Sequence, residues 1–308
     1  MRPLFAITIV IMEHRTLGKT GLDLSVLGFG GAEIGFEGAS DNDVETLLNA
    51  AIDAGLNTID TAECYADSEE KIGKAVAHRR GEFHLFTKVG HASGLEGDDW
   101  DIDLMEKSIE RSLKLLQTDC VDLIQLHTCS LEQLQRGEVI EVLKRAQQAG
   151  KTRFIGYSGD NEAAQWAVES GQFDTLQTSL NVCDQNGGTT FVPLALQNGM
   201  GVIAKRPIAN AVWRYDEDLP EDHYHKPYLD RWKQMNFDWG QKPDVAAAVA
   251  LRWTLQNGVS TAIVGTKNPS RWAQNAALLA GGPLDEELFE SIKTRWREIG
   301  GEKLEAKS

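Results

Sequence analysis

"DNDVETLLNAAIDAGLNTID", residues 41–60, holds one full repeat of the pattern on which the chain is built. Val44, Leu47, Leu48, Ala51 and Ile52 recur at helical spacing and give a helix one apolar face. Ser40 with Asp43 supplies an N-terminal cap, and Gly55 can end the helix because glycine tolerates the left-handed conformation such a stop needs. A short β-type run, Thr58 to Asp60, follows and ends in an acid.

The same order of helix, stop and strand recurs along the chain. Units end at "RRGEFHLFTK" (79–88), "QQAGKTRFIGYS" (147–158), "ESGQFDTLQTS" (169–179), "QNGMGVIAKR" (197–206) and "QNGVSTAIVG" (256–265). One unit lacks the glycine: Ile102, Met105, Ile109, Leu113 and Leu116 form a helical stripe before "CVDLIQLH" (120–127). With the opening run "SVLGFG" (25–30), seven crossovers imply eight strands in series. Alternation of strand and helix means parallel strands joined by right-handed crossovers. Eight of them in 308 residues favour a single-domain (β/α)8 TIM barrel over an open doubly wound sheet. "GFGGAEIG" (28–35) offers no dinucleotide fingerprint, since Glu33 stands where the third glycine belongs.

The barrel domain is expected over residues 14–308, with residues 1–13 as an N-terminal extension or a capping strand. The apolar run after Arg2 is too short to cross a bilayer, and no small-x-small cleavage site follows it. A 42% hydrophobic and 25% charged composition suits a large buried core. The formal charge of -15 argues against nucleic acid as a partner, and no membrane partner is expected. Cys64, Cys120, Cys129 and Cys183 lack CxxC or zinc-finger spacing, which fits a reducing, cytoplasmic setting and no metal motif.

In such a barrel the active site forms at the C-terminal ends of the strands. Those ends are Gly30 with Gly31, Asp60, Lys88, His127, Ser158, Gln177, Lys205, and Gly265 with Thr266. Each has an ordinary explanation alone: an acid caps a helix, a lysine reaches solvent, a histidine serves the scaffold. An acid, an ammonium and an imidazole on successive strands, with Tyr65 in the loop after Asp60, suit proton donation by the tyrosine. Lowering a phenol from a pKa of about 10 by two to three units takes roughly 3–4 kcal/mol. A lysine near 4 Å supplies roughly 4 kcal/mol at an effective dielectric of about 20. Asp60 would keep Lys88 charged and aimed, and His127 would donate to a carbonyl oxygen becoming an alkoxide.

"NTIDTAECYADSEEKIG" (57–73), "TKVG" (87–90), "LIQLH" (123–127) and "GTKNPSRWAQN" (265–275) together resemble the aldo-keto reductases. The resemblance runs from about Arg15 to the last helices. It implies a tetrad of Asp60, Tyr65, Lys88 and His127, with Tyr65 as general acid. It also implies hydride delivery from NADP(H), with NAD(H) possible, to a small-molecule carbonyl or sugar. Ser158 and Gln177 match residues that hold the nicotinamide carboxamide, and Arg271, Thr266 and Asn275 match the 2′-phosphate and adenine contacts. Gly31, Lys205, Arg206 and Gln274 complete the expected cofactor set.

Departures from the family pattern are informative. Gly159 replaces a common Asn, "AKRP" replaces an aromatic and a Ser, Gln274 replaces a Glu, and Gly265 stands where some members use a Lys. Lys205 then reads as a pyrophosphate contact. Trp100 and Trp213 are the expected pocket walls, and the aromatics of residues 210–241, after the seventh strand, read as packing for an extra helix or as a lid. Cys64 reads as a packed thiol, and Asp98 with Asp99 as solvated or capping the next helix. A sugar or polyol dehydrogenase using the same tetrad, and a cofactor-sensing regulatory subunit, stand as alternatives.

Overall fold

The computed structural model describes residues 12–304. Among them, β1 (His14–Thr16) and β2 (Asp23–Ser25) pair as an antiparallel hairpin. The next eight strands are β3 (Leu27–Gly30), β4 (Thr58–Asp60), β5 (His84–Val89), β6 (Val121–His127), β7 (Thr152–Ser158), β8 (Thr175–Ser179), β9 (Gly201–Lys205) and β10 (Thr261–Gly265). They close into one parallel barrel in chain order, with β10 returning to pair β3. The eight strands in series expected from the repeats are all present.

The quoted repeat folds as its residues dictate. The helix Asp41–Asp53 buries Val44, Leu47, Leu48, Ala51 and Ile52, and the Ser40 side chain accepts a hydrogen bond from the Asp43 amide. Similar faces from the other helices join the outward side chains of the strands in one large apolar layer. A second, smaller cluster lies apart from it: Leu17, Leu22 and Leu24 of the hairpin meet Phe86, Leu123, Ile203 and Ile263 of the strands. The hairpin is therefore the floor of the barrel. Its seating needs Gly18, where φ is +48° and an added Cβ would lie 2.4 Å from the Gly199 carbonyl oxygen. The described hairpin begins at His14; residues 1–11 of the segment expected as an N-terminal extension or capping strand lie outside the described residues.

The connection after β9 carries a helix, Lys226–Met235, between two short 3-10 turns. Trp213 packs on Trp232 with ring centroids 5.2 Å apart, and Phe237 stacks on Trp239 at 4.4 Å. Most of the aromatics expected as packing or lid therefore fix this extra helix. Tyr224 differs: it is exposed and lies under the Arg206 guanidinium, 5.3 Å from ring centroid to carbon.

At the strand starts, Asp122 of β6 ties three strands together. Its carboxylate accepts from Arg80 Nη2 at 2.7 Å, from the Leu85 amide at 2.9 Å and from Arg153 Nη1 at 2.7 Å. Burial alone would raise its pKa, but hydrogen bonds from His84, the Leu85 amide and Arg80 outweigh burial and hold it below the usual carboxylate range. A depressed folded pKa contributes stability that is present above the unfolded value near 3.9 and lost as pH falls toward the folded value. Asp122→Asn should therefore cost about 3 kcal/mol at neutral pH, and the gap to the native chain should narrow below about pH 4. Urea unfolding across pH measures this; a gap unchanged down to pH 3 would contradict it.

Candidate active site

Strand register brings the polar ends to one rim. Gly30 is level with Asp60, His127 with Ser158, and Ser158 with Gln177. Lys88 Nζ donates to Asp60 Oδ2 at 2.6 Å and to the Thr61 carbonyl at 2.8 Å. The other carboxylate oxygen of Asp60 accepts from Gln177 Nε2 at 2.9 Å, and Gln177 Oε1 accepts from Ser158 Oγ at 3.0 Å. Two expected catalytic residues and two expected cofactor residues thus form one continuous hydrogen-bonded chain. All four side chains are buried. Burial opposes the charge on Lys88, yet Asp60, with Tyr65 and Cys64, offsets it and holds the ammonium pKa above its ordinary value.

Tyr65 leans over this chain from the loop after β4, half-buried, with its ring centroid 5.0 Å from Lys88 Nζ and 5.7 Å from the His127 ring. The expected lowering of its pKa does not occur here. Burial pushes the phenol up to about 12; Lys88 pulls the other way and Asp60 adds to the rise. Tyr65 therefore holds its proton throughout the neutral range. His127 is held well below its usual pKa by burial first and by Lys88 next, so its imidazole is neutral. Cys64 Sγ lies 3.3 Å from His127 Nδ1, and burial pushes the thiol up to about 12. A thiol donating to Nδ1 leaves the hydrogen of the neutral ring on Nε2, the form able to donate to a carbonyl oxygen.

The expected cofactor residues fall in three places. Gly31 directs its amide to the Asp60 carbonyl at 2.8 Å, against the same loop. Lys205 Nζ lies 3.0 Å and Arg206 Nη1 3.5 Å from Asp160 Oδ2, and Arg206 also donates to Ser179 Oγ at 2.6 Å. Burial is the main reason the Lys205 pKa falls to about 8, with Asp160 opposing the drop. Two cations against one carboxylate give this part of the rim a surplus positive charge. Asp160, which sequence reading left out, anchors both. It starts a helix yet makes no side-chain cap, its oxygens being taken by Thr178, Ser179 and the cations.

The third group lies after β10. Arg271 and Gln274 are exposed at the helix Arg271–Ala277, Asn275 is buried, and Thr266 Oγ1 accepts from the Asn268 amide at 3.1 Å. Lys267 pairs with Glu37 at 3.2 Å. An outward guanidinium, a cationic rim and a buried hydroxyl and amide are a donor set that fits a phosphate-bearing dinucleotide.

One departure from the family pattern has a steric cause. A Cβ at Gly159 would lie 2.3 Å from the Tyr157 hydroxyl, which donates to the Cys129 carbonyl, so Asn is excluded there. A Cβ at Gly265 would meet only the flexible far end of the Glu33 side chain, which can move aside. Of the expected pocket walls, Trp100 reaches the site: its ring lies 5.6 Å from that of His91, which in turn lies 5.4 Å from His127. Trp213 has its ring contact with Trp232 of the extra helix instead. Asp99 neither caps the next helix nor stays merely solvated. Asp101 caps it, while Asp99 binds His91 Nδ1 at 2.8 Å and accepts from the Ala92 amide. Nothing in the spacing of 64, 91, 99 and 127 signals this meeting of Cys64, His91, Asp99 and His127.

The family model of the aldo/keto reductases matches residues 26–297. L-galactose dehydrogenase of Arabidopsis thaliana is 30% identical, the match covering 92% of this chain and 93% of that one. D-threo-aldose 1-dehydrogenase of a Pseudomonas species is 26% identical over 84% of this chain and 91% of its own length. The holo form of an aldo-keto reductase from Bacillus halodurans superposes with a TM-score of 0.77 at 26% identity, covering 92% of this chain and 96% of that one. Sequence, barrel and rim agree: the chain belongs to the aldo/keto reductase family and is a nicotinamide-dependent oxidoreductase.

Proposed function

We propose that the protein interconverts a small aldehyde or ketone with its alcohol using NADP(H), with Tyr65 as the proton donor. The observation that carries this reading is the grouping of Tyr65, His127 and the Lys88–Asp60 pair, with Lys88 Nζ 5.0 Å from the Tyr65 ring. A nicotinamide held at this rim would supply the hydride that the carbonyl carbon receives. His127 orients the carbonyl oxygen through its Nε2 hydrogen and favours the growing alkoxide. Tyr65 passes its proton to that oxygen. Lys88, kept charged by Asp60, eases the negative charge left on the phenol. Ser158 and Gln177 would hold the carboxamide, Lys205 and Arg206 the diphosphate, Arg271 and Thr266 the 2′-phosphate, and Asn275 the adenine.

A second reading is favoured by the relatives named as sugar dehydrogenases: oxidation of a sugar by the same groups, Tyr65 then receiving the proton. Initial rates with NADPH and aldehydes, set against NADP+ or NAD+ and aldoses, separate the two. In either direction Tyr65→Phe should lower kcat at least about 100-fold while NADPH binding, followed by fluorescence, changes little. Retained turnover in that variant would rule out the proton role. Arg271→Ala should weaken NADPH binding by about tenfold or more and leave NADH nearly unaffected, because it removes a charged hydrogen bond to a group NADH lacks. Equal losses for both cofactors would contradict the 2′-phosphate assignment.

A further inference from the structure

We propose that Cys64, His91 and His127 form a binding site for a single zinc-class divalent cation at the mouth of the active site. One ligand atom from each of the three side chains lies within 4.8 Å of the others, and all three residues are half-buried, so an ion can reach them from solvent. One pair, Cys64 Sγ and His127 Nδ1, is 3.3 Å apart. A tetrahedral zinc with bonds of about 2.0–2.3 Å holds its donors roughly 3.5 Å from one another, so this pair already has that spacing.

His91 supplies the second, independent observation. Its Nδ1 binds Asp99 Oδ2 at 2.8 Å, and Asp99 is itself held by the Ala92 amide at 2.8 Å. A carboxylate on Nδ1 places the ring hydrogen there and turns the Nε2 lone pair outward, which is the outer-shell arrangement that prepares a histidine to ligate metal. The ring contact of 5.4 Å between His91 and His127 sets both imidazoles on the same opening. One thiolate and two imidazoles suit zinc or cobalt rather than magnesium or calcium, which take oxygen ligands. Three protein ligands leave the fourth position to water. Binding replaces the Cys64 thiol proton, which leaves to solvent, and no electron moves.

An ion on His127 Nδ1 leaves the Nε2 hydrogen in place, but the ion and its water lie beside Tyr65, whose ring is 5.7 Å from that of His127, and crowd the carbonyl out, so turnover stops. That consequence rests on the roles proposed above for those two residues; the binding itself does not. The site is then an inhibitory one, reversible by chelation.

The test uses the full chain titrated with Co2+. The expected result is saturation at one equivalent, tetrahedral ligand-field bands in the visible and a thiolate-to-cobalt charge-transfer band, all displaced by Zn2+. Cys64→Ser should lose the charge-transfer band, and Asp99→Asn should weaken Co2+ binding by about tenfold while keeping the band. Circular dichroism confirms that each variant is folded. A native chain that gives only a pale octahedral spectrum overturns the site, and so does a charge-transfer band that survives Cys64→Ser. In a parallel assay Zn2+ should abolish turnover of the native chain, EDTA should restore it, and His91→Gln should turn over equally with and without Zn2+. Cobalt spectra as expected with no effect of Zn2+ on turnover would overturn the inhibitory role and leave the reductase reading intact.

Discussion

The Lys88–Asp60 ion pair, 2.6 Å long and buried inside the barrel rim, is the contact on which the site depends. Two charges taken out of water are costly unless each is fully satisfied. Here both are well partnered: Asp60 has one oxygen on Lys88 and the other on Gln177, and two of the three Lys88 N–H groups have acceptors, Asp60 and the Thr61 carbonyl. Through Gln177 the pair reaches Ser158. The proposed proton machinery and the proposed cradle for the nicotinamide therefore share one carboxylate, and neither can shift without the other.

That sharing is possible because the barrel is closed. Asp60, Lys88, Ser158 and Gln177 come from β4, β5, β7 and β8, and only a closed parallel sheet aims all four ends at one point. Leu17, Leu22 and Leu24 seal the opposite end against the interior side chains of the strands. A second buried carboxylate, Asp160, organises the next part of the rim in the same way, with Lys205 and Arg206 as its cations. The rim thus runs from a neutralised proton site to a positively charged patch, matching a ligand whose charge lies at one end.

Much of this was legible from residues alone. Every barrel strand followed an amphipathic helix or opened the series, and the 41–60 repeat folded with its Ser40 cap and five buried apolar residues in place. The strand-end residues were readable because a barrel fixes where ends point. What escaped had no periodic signal. β1 and β2 are three residues each, too short to show alternation. Asp99 read as solvated or capping and Asp160 was not singled out, since an acid before a helix can cap it or bind elsewhere and only tertiary neighbours decide between the two. The pKa of Tyr65 was misjudged in sign because Coulomb attraction from Lys88 can be foreseen from the motif, whereas the burial that outweighs it depends on the packed loop. Gly159 appeared as a lost contact, and the Tyr157 ring gives the steric reason.

In the proposed mechanism Asp60 acts through Lys88 rather than on the substrate. The most direct measurement is the single-turnover rate of NADPH oxidation by an aldehyde in Asp60→Asn, beside the dissociation constant for NADPH. Asn keeps an acceptor for Gln177 and removes the charge that holds Lys88 protonated. The rate should fall by about two orders of magnitude with the barrel folded and NADPH still bound. A native rate in Asp60→Asn would contradict the claim that this ion pair governs proton delivery from Tyr65.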